Sequence, residues 1–364
     1  MPRAERSVLH VLPHPGGGGE TYVDVLSGMP GYRFTRTYLA PGPSPREAAP
    51  ALIKTAPRAN LAAREHDVLH VHGEAASLLC LPSLATRPSV VTLHGLNLLR
   101  RAHGVGRWAA VANLRLILRT AGRTVCVSRS EYEEVIDAVG RTAAKRAVII
   151  HNGVELPQLP SDDARRLART ELGLSADRIV GIWVGAIEEF KDPLSPALAA
   201  VDVANTGLPF TLLVAGDGPM RADVERVAGE RDGSVIVLGF RHDIRLLLGA
   251  ADFFVLSSQR EGLPFSLLEA MSMGLPAIVA GIPGAREAVG DTGVIVTPGD
   301  VKGFANAFIH LSTDSAARDR LGRSARERID RQFRADQMID RLRDVYEDVL
   351  EERQPRRRPL PTAQ

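Results

Sequence analysis

The chain has 364 residues, and at roughly 150 residues per domain that length implies two domains rather than one core. Apolar residues at 45% and charged residues at 24% match a globular chain and exclude a disordered, collagenous or coiled-coil body. A net charge of +2 removes any polyelectrolyte drive toward nucleic acid, and two cysteines, Cys80 and Cys126, exclude a disulfide framework and point to a reducing compartment.

Residues 1–6 are charged and run directly into VLHVLP, so no signal peptide is read at the start. The longest run without charge, residues 270–285, is broken by Gly274, Pro276, Gly281 and Pro283. It falls short of the roughly 20 apolar residues of a spanning helix. The expectation is a soluble, cytoplasmic protein.

Short β-branched runs alternate with helix-like segments along the chain. SVLHVLP (7–13), DVLHVH (67–72), SVVTLHG (89–95), TVCVS (124–128) and AVIIHNGV (147–154) form a first series. RIVGIWVGA (178–186), FTLLVAGDG (210–218), SVIVLGF (234–240), DFFVLSS (252–258), PAIVAG (276–281) and GVIVTPGD (293–300) form a second. Near-continuous apolar strands belong to parallel sheets covered on both faces. The expected fold class is α/β, with two Rossmann-like, doubly wound parallel-sheet domains facing each other across a cleft. The predicted divisions are 1–154, a linker at 155–170 opening on the turn-rich ELPQLPSDD, 171–330, a C-terminal helix at 331–352, and a Pro- and Arg-rich disordered tail at 353–364.

Ligands of such sheets bind beyond the carboxyl ends of the strands, so the following loops carry the candidates. PGGGGE places Gly16 to Gly19 after the first strand, where the backbone can approach an anion. It is not the spaced dinucleotide fingerprint. AGDGPMR places Gly216 and Gly218 after another strand. In SSQREGLPFSLLEAMSMGLPAIVAG (257–281) a loop bearing Glu261, Gly262, Leu263 and Pro264 enters a helix read from Phe265 to Met273, with Gly274 as its C-cap and Glu269 one turn in. The helix start suits a phosphate, and the two carboxylates suit vicinal hydroxyls. Together they describe a site for a nucleotide sugar.

The charge is unevenly spread: residues 1–154 carry +8 and residues 155–364 carry −6. Residues 75–130 contain eight arginines and no acid. Within them, residues 96–123 mix arginines with Trp108, Leu114, Leu116 and Leu118, the composition of an amphipathic helix that docks on anionic lipid. His66, His70 and His72 are read as hydrogen-bonded strand histidines rather than metal ligands, and no Asp-x-Asp signature is present.

Glu261 and Glu269, within EGLP…EAMSMGLPAIV, resemble the retaining glycosyltransferases of family 4, whose GT-B fold is two Rossmann-like domains. GGGGE, DVLHVHG, VVTLHG, VIIHNGVE, VGAIEEFKD, VAGDGP, LGFRHD and VTPGD extend the resemblance in order along the chain. It implies a metal-independent enzyme without a cofactor, moving a sugar from a nucleotide diphosphate sugar (UDP- or GDP-sugar) to an acceptor hydroxyl. Polysaccharide, glycolipid or small-glycoside synthesis is the implied setting, with a lipid-linked acceptor and peripheral association at the inner membrane face as further expectations. By the same resemblance, His94, Glu261 and Lys191 form the reacting centre. Glu269 binds ribose; Gly262, Leu263 and Pro264 contact sugar and diphosphate. Gly17, Gly18 and Gly216 lie against the donor, and Phe240 and Arg241 lie near the base.

The family commonly has an arginine five residues before its lysine; here that position is Ala186, with Arg241 and Arg260 as substitutes. The competing readings are a non-catalytic nucleotide-sugar binder and a nicotinamide-dependent oxidoreductase, since doubly wound folds serve many chemistries.

Overall fold

A computed structural model describes residues 5–40, 45–231 and 233–353. The chain forms two compact units. The first holds the chain to Val127, Glu131–Ile150 and the segment from Ile339; the second holds Ser128–Ser130 and His151–Met338.

The first unit runs β1 (Arg6–Leu12), α1 (Gly18–Leu26), β2 (Tyr32–Tyr38), α2 (Pro45–Ala62), β3 (Val68–His72), α3 (Glu74–Leu79), α4 (Leu81–Thr86), β4 (Ser89–Thr92), α5 (Asn97–Arg101), α6 (Val105–Thr120), β5 (Arg123–Cys126), α7 (Arg129–Val139) and β6 (Ala147–Ile149). Its six strands pair in parallel in the order β2-β1-β3-β4-β5-β6. All five residues of β3 are buried, as a strand covered on both faces requires. β2 is the strand the sequence reading missed: YRFTRTY places arginines among its apolar positions and lies at the sheet edge, half exposed. Cys80 and Cys126 are buried free thiols in the core.

The second unit runs α8 (Asp162–Glu171), β7 (Ile179–Val184), α9 (Leu194–Asn205), β8 (Phe210–Ala215), α10 (Arg221–Ala228), β9 (Val235–Gly239), α11 (Ile244–Ala250), β10 (Phe253–Leu256), α12 (Phe265–Ser272), β11 (Ala277–Ala280), α13 (Pro283–Val289), β12 (Gly293–Val296), α14 (Val301–Thr313) and α15 (Ser315–Gln332). Its parallel sheet has the order β12-β11-β10-β7-β8-β9. Phe210 stacks on Phe253 at 5.7 Å, beside Phe308. Gly181 makes that cluster possible, since a Cβ there would lie 2.8 Å from the Phe253 ring.

Three boundaries differ from the sequence reading. The stretch read as a linker contains α8, which starts at Asp162 because Ser161 caps it by accepting from Ala164 N–H. Residues 331–332 end α15, and the final helix α16 (Ala335–Arg353) begins only after Phe333. From Ile339 onward α16 belongs with the first unit, where Tyr346 is buried against Tyr32 and His70. The predicted tail beyond Arg353 lies outside the described residues.

Each strand order reverses at one place. In the first sheet the chain leaves β1 toward β2 and then crosses to β3; in the second it leaves β7 toward β9 and crosses to β10. Loops that part at such a switch point leave a crevice at the strand ends. The pair β1 and β3, and the pair β7 and β10, therefore mark where each unit can hold a ligand.

Candidate functional site

In the second unit, the loop after β7 closes in a 3₁₀ turn at Glu189–Lys191, and the loop after β10 carries Glu261. Three contacts tie these loops together. Trp183 Nε1–H donates to Ser257 Oγ at 3.0 Å. That hydroxyl lies 2.9 and 2.6 Å from the carbonyls of Lys191 and Asp192, and Gln259 N–H donates to Phe190 O. The anchoring forces Lys191 beside Glu261: Nζ sits 2.5 Å from Oε1, with both side chains largely buried. Arg260 and Lys191 stand over the same ring, at 5.0 and 5.4 Å from the Phe190 centroid.

The Glu261–Pro264 loop is fixed by backbone approach. Gly284 at the start of α13 packs so closely that a Cβ would lie 2.0 Å from Gly262 O. Asn152 Nδ2 donates to Leu263 O at 2.6 Å. In the sequence Asn152 is one residue of the strand-ending VIIHNGVE motif, which carries no signal of this clamp role. α12 follows with Pro264 at its N-cap, whose side chain can satisfy no amide, so the first-turn N–H groups stay available. Its C-cap is Met273, and Gly274 follows in the left-handed region at φ 74°. Glu269 is half-buried on this helix. Burial raises its carboxyl from 4.5 to about 7, with Arg245 the opposing charge, and among the described residues nothing donates to its oxygens.

Other predicted positions behave differently. Gly216 and Gly218 pack against the β7 loop, where added Cβ atoms would lie 1.8 Å from Gly185 O and 2.5 Å from Ile187 O. Loop-on-loop packing already accounts for both glycines. Phe240 is exposed, edge-on to His242 at 4.8 Å. Arg241 is bound through both guanidinium arms to Asp243. Ala186 is exposed in the β7 loop.

In the first unit, Gly16 and Gly17 take φ 81° and 75°, and Gly17 is the N-cap of α1, where Gly18 begins the helix. Glu20 folds back to accept from Gly16 N–H at 2.6 Å and from Tyr38 O–H at 2.5 Å, and these bonds hold its carboxyl below its usual value. His94 follows β4 in a turn whose three residues His94, Gly95 and Leu96 have φ 57°, 109° and 50°. A left-handed conformation costs a non-glycine residue about 1–2 kcal/mol. Two buried carboxylates hold it. Glu131 accepts from Gly95 N–H and from Val127 N–H, and Glu74 accepts from Leu98 N–H at 2.7 Å. Burial raises each carboxyl to about 7. These are the two acids that border the acid-free stretch, a signal present in the sequence but read there only as a charge pattern.

The single amphipathic helix expected at 96–123 is two helices, α5 and α6, separated at Ala102–Gly104. Leu114 and Leu118 are in the core and cannot face a membrane. The exposed face instead carries Val105 (86% exposed), Trp108 (76%) and Leu116 (41%), with Arg107, Arg115 and Arg119. Among the described residues, no helix is long and apolar enough to cross a membrane.

Residues 7–158 match the family described as Glycosyltransferase Family 4, and residues 178–314 match Glycosyl transferases group 1. The chain belongs to the family 4 glycosyltransferases. An Escherichia coli UDP-Gal:alpha-D-GlcNAc-diphosphoundecaprenol alpha-1,3-galactosyltransferase is 28% identical over 79% of this chain and 76% of its own. The N-acetyl-alpha-D-glucosaminyl L-malate synthase of Bacillus anthracis is 27% identical over 80% and 77%. The Anabaena protein HepE, solved with UDP-glucose, superposes with a TM-score of 0.79 at 20% identity, covering 94% of this chain and 99% of that one. The glycosyltransferase thus has the GT-B fold, two six-stranded parallel sheets flanked by helices. The family match leaves the nicotinamide reading without support.

Proposed function

We propose that the protein is a retaining, metal-independent hexosyltransferase that takes a nucleoside-diphosphate sugar as donor. The observation that carries this is the Lys191–Glu261 pair at the β7/β10 switch point, with the unpartnered Glu269 carboxylate on the helix that follows. Lys191 and the first-turn amides of α12 suit the charge of a leaving diphosphate. Glu261 suits the hydroxyls of the transferred sugar, and Glu269 those of the ribose. In the transfer, the bond from the anomeric carbon to the diphosphate oxygen breaks and one to the acceptor oxygen forms on the same face. The acceptor hydroxyl proton goes to the leaving diphosphate. By the family resemblance, Gly17, Gly18 and His94 are assigned to the donor as well, and Phe240 to its base.

Arg260, which shares the Phe190 ring with Lys191, takes the place of the arginine absent at Ala186; Arg241 is committed to Asp243. The relatives' UDP-linked names favour a UDP-sugar, and the diphosphoundecaprenol acceptor in one of them favours a lipid-linked acceptor here. The exposed Val105, Trp108 and Leu116 among arginines on α6 support docking to anionic lipid at the cytoplasmic membrane face. A thermal-shift screen of UDP-, GDP- and ADP-sugars tests the donor class: one base series should raise the melting temperature, and no shift with any would refute the reading.

A further inference from the structure

Four histidines stack across the first sheet at its switch point. His10 lies on β1, His70 and His72 on β3, and His94 just beyond β4, with neighbouring ring centroids 4.4–5.2 Å apart. His70 is a side branch, held by Tyr346 O–H at 2.7 Å and Thr92 Oγ1 at 2.8 Å. The other three form a line. His10 Nδ1 lies 2.9 Å from His72 Nε2, and His72 Nδ1 lies 2.9 Å from His94 Nε2. The inner end, His10 Nε2, is buried and has no partner among the described residues. The outer end, His94 Nδ1, belongs to a half-buried residue.

Each ring-to-ring contact needs one proton, and a neutral imidazole carries one. Burial, reinforced by repulsion from neighbouring rings and, at His10, by Arg36, holds His10 and His72 neutral, and burial holds His94 neutral with a value near 4. Only two arrangements then satisfy both contacts. In one, all three rings carry the proton on Nδ1, and the orphaned inner atom is a bare lone pair. In the other, all three carry it on Nε2, and a buried N–H is orphaned. A buried donor without a partner is the costlier defect. The cluster is also a conceivable tri-histidine metal site, with one nitrogen from each of His10, His70 and His72 within 4.8 Å of the others. Those rings are already bonded to one another, to Tyr346 and to Thr92, so a metal must first break that network.

We propose that His72 and His10 are positioning residues that fix the tautomer of His94, so that His94 presents Nδ1–H outward as a hydrogen-bond donor to a sugar or phosphate oxygen. The assignment of the ligand rests on the glycosyltransferase reading; the tautomer itself does not. A donor-only His94 donates to any oxygen with a free lone pair, hydroxyl or phosphate, and rejects a group that can only donate.

Nitrogen-15 imidazole spectra of the full chain read the tautomer directly. The parent protein should show a protonated Nδ1 and an unprotonated Nε2 on His94. His72→Phe, which keeps ring volume but cuts the line, should release His94 to a mixture with Nε2–H. It should also lower turnover by about tenfold, with less effect on donor Michaelis constant. His10→Asn, a smaller change that can still donate to His72, should keep the parent pattern, so the proposal stays testable if His72→Phe does not fold. A parent His94 protonated on Nε2 overturns the proposal. So does zinc retained in the purified protein with His10 and His72 as its ligands. The parent pattern, lost in His72→Phe without any change in turnover, supports the fixed tautomer and refutes instead the role of His94 at the reacting centre.

Discussion

Lys191 Nζ sits 2.5 Å from Glu261 Oε1, a charge pair set between two loops that part at the switch point of the second sheet. Such a pair neutralises both groups until a ligand competes for the lysine, and a diphosphate does so with more charge than one carboxylate. Lys191→Ala should therefore reduce kcat/KM for donor about 10²-fold, as for loss of one preorganised charge contact. Lys191→Arg should recover part of that, since a guanidinium differs in reach and fork geometry. Titration of the free nucleoside diphosphate checks it: equal affinity in Lys191→Ala and parent removes Lys191 from the site.

Arg260 and Arg241 separate cleanly. Arg260 shares the Phe190 ring with Lys191, whereas Arg241 is satisfied by Asp243. Arg260→Ala should weaken nucleoside diphosphate binding about tenfold, the loss of one charge-assisted contact. Arg241→Ala should leave it within about threefold. The reverse order would move the second cation to the β9 loop.

Glu269 gives donor binding a pH dependence. Its carboxyl titrates near 7 in the free protein, and ribose hydroxyls bind best to the ionised acceptor. Donor affinity should rise with pH through 7 and be about tenfold lower at pH 6 than at its plateau. Glu269→Gln should flatten the profile and weaken binding at pH 8. A profile unchanged by the substitution assigns the titration to another group.

Glu74, Glu131 and Glu269 also predict a stability trend. All three have folded values near 7, above their ordinary 4.5. Between those values the folded chain holds protons that the unfolded chain has released, so these groups make stability fall as pH rises through that window. Glu131→Gln should reduce the slope of melting temperature against pH. The same change should speed hydrogen exchange at Gly95, whose amide the carboxylate receives. Protection at Gly95 unchanged would show that the left-handed turn holds itself.

The exposed face of α6 should bind anionic vesicles, more weakly as salt rises. Trp108→Ala should reduce co-sedimentation severalfold, while Leu114, in the core, should act only through stability. Absence of binding at low salt contradicts the membrane reading.

Eleven of the twelve strands among the described residues were legible because parallel strands buried on both faces are apolar without interruption. β2 was not, because an edge strand keeps Arg33 and Arg36 without burying them. The Glu261–Glu269 spacing was legible because one loop and one helix turn are local. What escaped were relations between distant residues. Asn152 clamping Leu263, Gly284 against Gly262, and the line from His10 through His72 to His94 join positions that only the sheet order brings together. Leu114 and Leu118 were misassigned because composition does not say which face of a helix the core takes.

The most direct test of the account is proton NMR of the donor reaction, with UDP-, GDP- and ADP-sugars of α configuration supplied in turn. It follows nucleoside diphosphate release and the anomeric configuration of the sugar as first released or transferred. The account predicts release from one base series, an α product at early times, and loss of turnover in Glu261→Ala at saturating donor. A β product would contradict retention, and a donor that binds but is never cleaved, with any acceptor tried, would make the protein a nucleotide-sugar binder instead.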